Sequence, residues 1–372
     1  MTETTIAIDV ETLRRKLDHE EPVTVLDVRS HDEREELRVP GSVHLDAYAA
    51  LNAGDMSVLD DLELPSDRPV VTVCAAGRTS LLAALELRKR GYRAWSLSGG
   101  MEAWSVAWNV ATVPISRPDI YVLQVRRVGK GCLSYIVGTG DDAIVIDAAL
   151  DPGVYLDLAI QHGWRISAVV DTHIHADHLS RSRALAESAG ANLYMPDQGR
   201  VTFPFLPLDD GDEILIGGIP LTAMHTPGHT PESMSYLLAD QAVFTGDTLF
   251  LDGVGRPDLE ATTDEARDRA RLLYDSLQRL LDLPGETLVL PGHTSLEIPF
   301  DGESIDLPVT EVARNVAVQH QSRDAFVTRL LDRIPPAPAN HSLIVSLNEA
   351  GLLPGERNQT GLEAGANRCA VA

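Results

Sequence analysis

Within six residues, His173-Ile-His175-Ala-Asp177-His178, the chain gathers three imidazoles and one carboxylate. Imidazole nitrogen and carboxylate oxygen suit zinc, iron and manganese. No cysteine stands among them, which argues against a purely structural zinc knot. Further along, His229 follows in HTPGHT, Asp247 in FTGD and His293 in LPGH. An aspartate buried alone at a strand end is costly unless it is paired or bound to a metal. A single histidine, such as His31, His225 or His320, is ordinarily a surface or core residue. Five histidines and two aspartates that recur in order after strand-like runs instead describe a metal centre.

A second reactive pattern is Cys74-Ala-Ala-Gly-Arg-Thr-Ser80, between the apolar run VVTVC and a helix-like segment. Backbone N–H groups and the positive end of a helix favour a thiolate at such a position, and Arg78 adds a cation. On these local residues alone an inert buried cysteine is an equal alternative. Cys132 lies inside a strand-like run and reads as packed, whereas Cys369 is open between packing and reactivity. Trp95, Trp104 and Trp108 read as core or linker contacts rather than a ligand cage.

The elements that must position these groups fall into two patterns. Residues 1–110 alternate VTVLDV, PVVTVC, a periodic SLLAALELRKRG and AWSLSGG, the rhythm of a small α/β domain. Gly91 is placed to close the helix in a left-handed conformation. Residues 105–119 carry two prolines and no period, so they read as a connection, with 111–119 as the linker proper. From 120 to 372, YVLQVRRV, CLSYIVG and AIVIDAA predict an antiparallel series. Later strands at 168–172, 205–226, 241–247 and 287–293 end at or lead into candidate ligands, where side chains are held more firmly than on free loops. Helices are expected over about 264–282 and 311–332.

A length of 372 residues suits two domains, and 44% hydrophobic with 23% charged residues is ordinary for a globular protein. No run reaches the ~20 apolar residues that cross a bilayer. The acidic N-terminal segment lacks the features of a secretory signal, so a cytoplasmic location is expected. A net charge of −24 argues against nucleic acid or an anionic membrane as partner. Three dispersed cysteines form no disulfide framework.

HIHADH, TPGH, FTGD and PGH, in this order, resemble the metallo-β-lactamase superfamily over about 120–300. The resemblance implies an αββα sandwich with a metal site at one edge. Dinuclear members would place a first metal on His173, His175 and His229 and a second on Asp177, His178 and His293, bridged by Asp247. THIHADH with TGDTLFLDGVGRPD is closer to the persulfide dioxygenases related to the ethylmalonic encephalopathy protein. In these, one Fe(II) would sit on His173, His229 and Asp247, with His175, Asp177, His178 and His293 around it. Arg256 and Asp258 of GRPD would then lie near the substrate, and the tail GANRCAVA extends the likeness to residue 372. PGHTS lacks the aromatic that glutathione-using relatives carry two residues after the histidine, which argues against glutathione as the carrier.

LDVRSHDEREELRVPGSVHL and LSGGMEAW, on either side of Cys74, are similar to rhodanese domains over about 6–108. That likeness implies that Cys74 accepts a sulfane sulfur, with Arg78 one place earlier than the usual loop arginine and Thr79 at its position. The expectation is therefore an α/β rhodanese domain joined to an αββα metallo-β-lactamase sandwich. Its substrates would be a small thiol persulfide and O2, with sulfite or thiosulfate as products, and the family carries the expectation of a homodimer. The alternative is a dinuclear zinc thioester hydrolase of the glyoxalase II kind with an attached rhodanese domain.

Overall fold

The computed structural model describes residues 6–371 apart from residues 317 and 366. At the N-terminal side, five short parallel strands lie in the order Ala7–Ile8, Ala94–Leu97, Val70–Val73, Thr24–Asp27 and Val43–His44. Helix Arg78–Lys89 follows the central strand and packs Ala83, Ala84 and Leu87 against it. Gly91, at φ +91°, takes the left-handed conformation that closes the chain after this helix.

The remaining chain builds two sheets packed face to face. The first runs Leu206–Leu208, Asn192–Pro196, Arg165–Val170, Asp142–Ile146, Cys132–Thr139, Tyr121–Arg127 and Asn109–Val113; the expected antiparallel series over 121–146 forms its centre. The second runs Glu213–Ile216, Ile219–His225, Met234–Leu238, Ala242–Gly246, Leu288–Pro291 and Leu307–Pro308. Val122, Tyr135, Ile144, Val170, Tyr236 and Phe244 fill the space between them. Helices Pro152–His162 and Ser182–Ala189 cover the outer face of the first sheet, and Thr263–Leu281, Val309–Val316 and Arg323–Asp332 that of the second. The architecture is the expected αββα sandwich beside an α/β domain.

Two expectations are corrected. Asn109–Val113 is not linker but the edge strand of the first sheet, paired antiparallel with Tyr121–Arg127. A five-residue strand closed by Pro114 is too short to print a period, and Pro suits an edge position. The helix expected over 311–332 is broken, because Ser322 caps a new helix by accepting a hydrogen bond from the Ala325 N–H at 3.3 Å.

The two domains meet along a packed seam. Trp104 packs on Phe300 with ring centroids 6.4 Å apart, and Arg127 Nε donates to the Ser105 carbonyl at 2.6 Å. After helix His341–Ala350, helix Glu356–Glu363 brings the buried Glu363 between two arginines. Glu363 accepts from Arg127 Nη2 at 2.9 Å, from Arg181, and from the Leu179 N–H at 2.6 Å. Burial opposes its ionisation, but the two guanidinium groups outweigh that and hold the carboxyl well below its ordinary 4.5.

Removing one partner of such a buried network strands the others, so Glu363→Gln is expected to destabilise the fold by about 3–5 kcal/mol. The sign with pH is fixed. A carboxylate whose folded pKa is depressed stabilises above its unfolded value and loses that contribution as pH falls toward the folded one. Thermal melts from about pH 7 downward should therefore show the wild type losing stability below about pH 4.5. Glu363→Gln should start lower and lose less; parallel curves would contradict the assignment.

Candidate metal centre and sulfur-transfer loop

The strand Arg165–Val170 ends three residues before His173, and the loop that follows carries His175, Asp177 and His178. His229 lies in the turn between Ile219–His225 and Met234–Leu238, Asp247 directly after Ala242–Gly246, and His293 two residues past Leu288–Pro291. All seven are buried, and they gather at one end of the two sheets. The sheets are joined at this end: Leu133 N–H donates to the Gly292 carbonyl at 2.8 Å, and Tyr135 Oη donates to the Pro291 carbonyl at 2.6 Å.

Hydrogen bonds behind the rings decide which nitrogens are free. His229 Nδ1 lies 2.8 Å from the Arg256 carbonyl. A carbonyl only accepts, so Nδ1 carries the proton and Nε2 the lone pair. Thr172 Oγ1 donates to Asp147 Oδ2 at 2.8 Å and therefore accepts from His173 Nδ1 at 2.9 Å, leaving His173 Nε2 with its lone pair as well. Burial, and for His173 the neighbouring His175, lower the pKa of both imidazoles and keep them neutral.

Asp247 completes the set. Its Oδ1 accepts from His293 Nδ1, while Oδ2 is buried without a hydrogen bond, 3.9 Å from His173 Nε2 and 3.7 Å from His229 Nε2. Burial works against its charge, but the hydrogen-bonded His293, itself held protonated by Asp177 and Asp247, outweighs that and keeps the carboxyl well below the usual range. Three orphaned buried ligand atoms at these separations fit one metal ion, since two bonds of about 2.1 Å span up to about 4.2 Å.

The other four residues are arranged differently. Asp177 Oδ1 accepts from His178 Nδ1 at 3.0 Å; its Oδ2 accepts from Asn367 Nδ2 at 3.0 Å and lies 2.8 Å from His293 Nε2. Cys132 Sγ lies 3.6 Å from the same oxygen. Asp177, His178, His293 and Cys132 thus form a second group that can hold a metal. The His175 ring lies between the two groups, 4.2 Å from the rings of both His173 and His178. Its Nε2 is 3.3 Å from Asp147 Oδ1, and it clusters with Asp147 and Asp171.

Arg256 was expected near a substrate and is instead fully buried. Its guanidinium bonds both oxygens of Asp258 at 2.8 Å and the carbonyls of Pro335, Pro336 and Arg368, so all five N–H groups are engaged within the protein. It acts through what it holds: its own carbonyl orients His229, and its backbone N–H donates to the Cys369 carbonyl at 3.0 Å. Strand Ala370–Val371 pairs with Val254–Gly255 and locks the tail over the centre. Burial raises the Cys369 thiol well above its ordinary value.

The sequence reading missed Asn348, Asn367 and the placement of Cys132. Asn348 Nδ2 donates to the carbonyls of His175 at 2.8 Å and His178 at 2.9 Å, clamping the ligand loop from a helix about 170 residues away. No local pattern marks such a residue.

In the N-terminal domain Cys74 is buried at the end of Val70–Val73, and Ser80 Oγ donates to its Sγ at 3.2 Å. The loop rests on Gly100–Trp104, with Met101 N–H donating to the Cys74 carbonyl at 2.9 Å. A Cβ on Gly100 would stand 2.1 Å from that carbonyl, so only glycine fits there. Arg78 is exposed at the first turn of the helix, and Thr79 is buried, donating from Oγ1 to Asn52 Oδ1 at 3.0 Å.

Two facing sheets under outer helices, with imidazoles and carboxylates gathered at one end, define an αββα metal-binding enzyme. The family model for the metallo-beta-lactamase superfamily matches residues 127–293, and that for the rhodanese-like domain residues 9–107. The chain belongs to the metallo-beta-lactamase superfamily and carries a rhodanese domain on its N-terminal side.

Among its relatives, a hydroxyacylglutathione hydrolase of Brucella anthropi is 30% identical over 237 residues, covering 63% of this chain and 82% of the relative. That of Brucella ovis is 32% identical over 211 residues, covering 54% and 75%. Among solved structures, a metallo-beta-lactamase from Staphylococcus aureus is similar at TM-score 0.58 and 27% identity, covering 63% of this chain and 73% of that one. ETHE1 from Myxococcus xanthus is similar at TM-score 0.54 and 33% identity, covering 61% and 97%.

Outer partners of metal-binding histidines typically govern affinity by 10–100-fold. Arg256→Ala, which unties the tail and the peptide that orients His229, should weaken metal binding by about that factor in a chelator competition. Unchanged affinity would contradict its positioning role.

Proposed function

We propose that the metal domain oxidises the outer sulfur of a low-molecular-weight thiol persulfide with O2, and that the rhodanese domain moves sulfane sulfur through Cys74. The reaction balances as RSSH + O2 + H2O giving RSH and sulfurous acid. The outer sulfur leaves its S–S bond and is oxidised by O2, and water supplies the third oxygen.

The observation that carries this reading is the division of the seven ligand candidates. His173 Nε2, His229 Nε2 and Asp247 Oδ2 converge on one point, while His175, whose ring nitrogens are also unpaired, groups with Asp147 and Asp171, and His178 and His293 group with Asp177 and Cys132. Two histidines and one carboxylate on one face are the ligand set of non-haem iron oxygenases. Fe(II) held there would supply redox chemistry toward O2 and open positions for substrate. The chain's own groups do the rest. Thr172 and the Arg256 carbonyl fix the two imidazoles, His293 occupies one Asp247 oxygen so that only the other faces the centre, and the tail covers it from solvent. The likeness to ETHE1 and the motifs THIHADH and GRPD support the same reading.

A second reading, a dinuclear zinc thioester hydrolase, is favoured by the Brucella relatives and by the group Asp177, His178 and His293. The two separate in one assay. Iron-loaded protein given glutathione persulfide or coenzyme A persulfide should consume one O2 per sulfite formed. No uptake in protein shown to hold iron, with thioester hydrolysis by protein holding two zinc ions, would replace the first reading by the second.

Cys74→Ser tests the domain roles. Sulfur transfer between thiosulfate and cyanide should vanish while oxidation of supplied persulfide is retained. Equal loss of both activities would contradict two independent sites.

A further inference from the structure

A cavity of about 210 Å³ opens between helix Ser182–Ala189 and the segment that follows helix His341–Ala350. At its inner end stand Asp171, His173 and His175, so it touches the ring that supplies one of the three converging ligand atoms. Ile174, Ala184, Leu193, Met195 and Leu353 wall the way there. The chain crosses the cavity closely at Gly351, where φ is +62° and a Cβ would stand 2.5 Å from the Phe203 ring. The tail strand Ala370–Val371 covers the centre at Val254–Gly255, whereas this cavity approaches past the HIHADH loop.

The cavity offers no open charge to an ionic ligand. Arg183 lies over the Phe203 ring, 5.1 Å from its centroid, and is paired with Glu187 at 2.9 Å. Asp171 accepts hydrogen bonds from Ser182 and, at 2.8 Å, from Ser180. A charged thiol derivative would lose its hydration there and gain no counter-charge. A neutral diatomic molecule loses almost nothing, and apolar-walled space of this size takes up such gases. The inner end has a movable part as well. Neither nitrogen of the His175 ring is hydrogen-bonded, so the ring can turn beside His173 without breaking such a bond.

We propose that this cavity is the route by which O2 enters the metal centre. The inference rests on the reading that the metal domain consumes O2, and it assigns Ala184, Leu193 and Met195 to the passage of that gas.

Two measurements test it. Crystals of the protein under xenon pressure should show xenon among Ala184, Leu193 and Met195. Stopped-flow mixing of iron-loaded, oxygen-free protein with NO, a diatomic stand-in for O2, reads the entry rate. Ala184→Val, Ala184→Leu and Ala184→Phe fill the passage in steps. The on-rate and off-rate for NO should fall together in that order, by roughly tenfold or more for phenylalanine, the effect of a modest added barrier. A barrier on a path slows passage both ways and leaves the end states unchanged. The equilibrium affinity for NO, and the iron affinity in a chelator competition, should therefore stay at wild-type values.

Xenon in the cavity with graded, symmetric slowing sustains the proposal. A water-filled cavity without xenon, rates that ignore side-chain size, or slowing that comes with a shifted NO affinity overturns it. The oxidation assay fails separately: O2 uptake with ungraded NO rates would leave the dioxygenase reading intact and remove the route. Graded rates without O2 uptake would leave a gas path to the metal and remove the reading.

Discussion

The centre depends on a carboxylate kept ionised where water is excluded. Asp247 has one oxygen committed to His293 and the other unpaired between two imidazole nitrogens. An uncompensated buried charge is among the costliest features a fold can carry, and a cation at that oxygen relieves it. The surrounding structure keeps the three ligand atoms aimed at one point before any ion arrives. Strand ends fix the Cα positions, and hydrogen bonds behind the rings fix the tautomers.

The same constraint explains why residues far apart in sequence converge on one loop. HIHADH cannot hold its shape from within, because it is irregular backbone whose polar side chains face one another and the neighbouring carboxylates. Asn348 bonds two of its carbonyls, and Glu363 bonds the Leu179 N–H just beyond it while neutralising Arg127 and Arg181. Asn367 adds a donor to Asp177. The C-terminal helices and tail are thus part of the centre's support. The Arg127 that meets Glu363 also bonds the Ser105 carbonyl at the domain seam.

How much of this was legible followed from where the information lies. The candidate ligands were legible because the histidines and aspartates follow apolar runs, and the structure brings His173, His229, Asp247 and His293 to one end of the two sheets. The sandwich and the Cys74 loop were legible for the same reason. Asn109–Val113 was not, since pairing with Tyr121–Arg127 decides its conformation rather than any period of its own. Arg256 was misjudged in kind: its motif marked the right region, but only the fold reveals that its five N–H groups are spent on the tail. Cys132 read as a packed strand residue, and only the bridge between Cys132 and His293 sets it beside Asp177.

The central claim is that one metal ion sits among His173, His229 and Asp247, with the other four candidates acting around it. Diffraction from crystals of the iron-loaded protein, with anomalous data at the iron edge, tests this directly. The account predicts one anomalous peak, bounded by His173 Nε2, His229 Nε2 and Asp247 Oδ2, with His175 still beside Asp147. A second peak of comparable occupancy among Asp177, His178 and His293, with His175 turned to join the first, would contradict it.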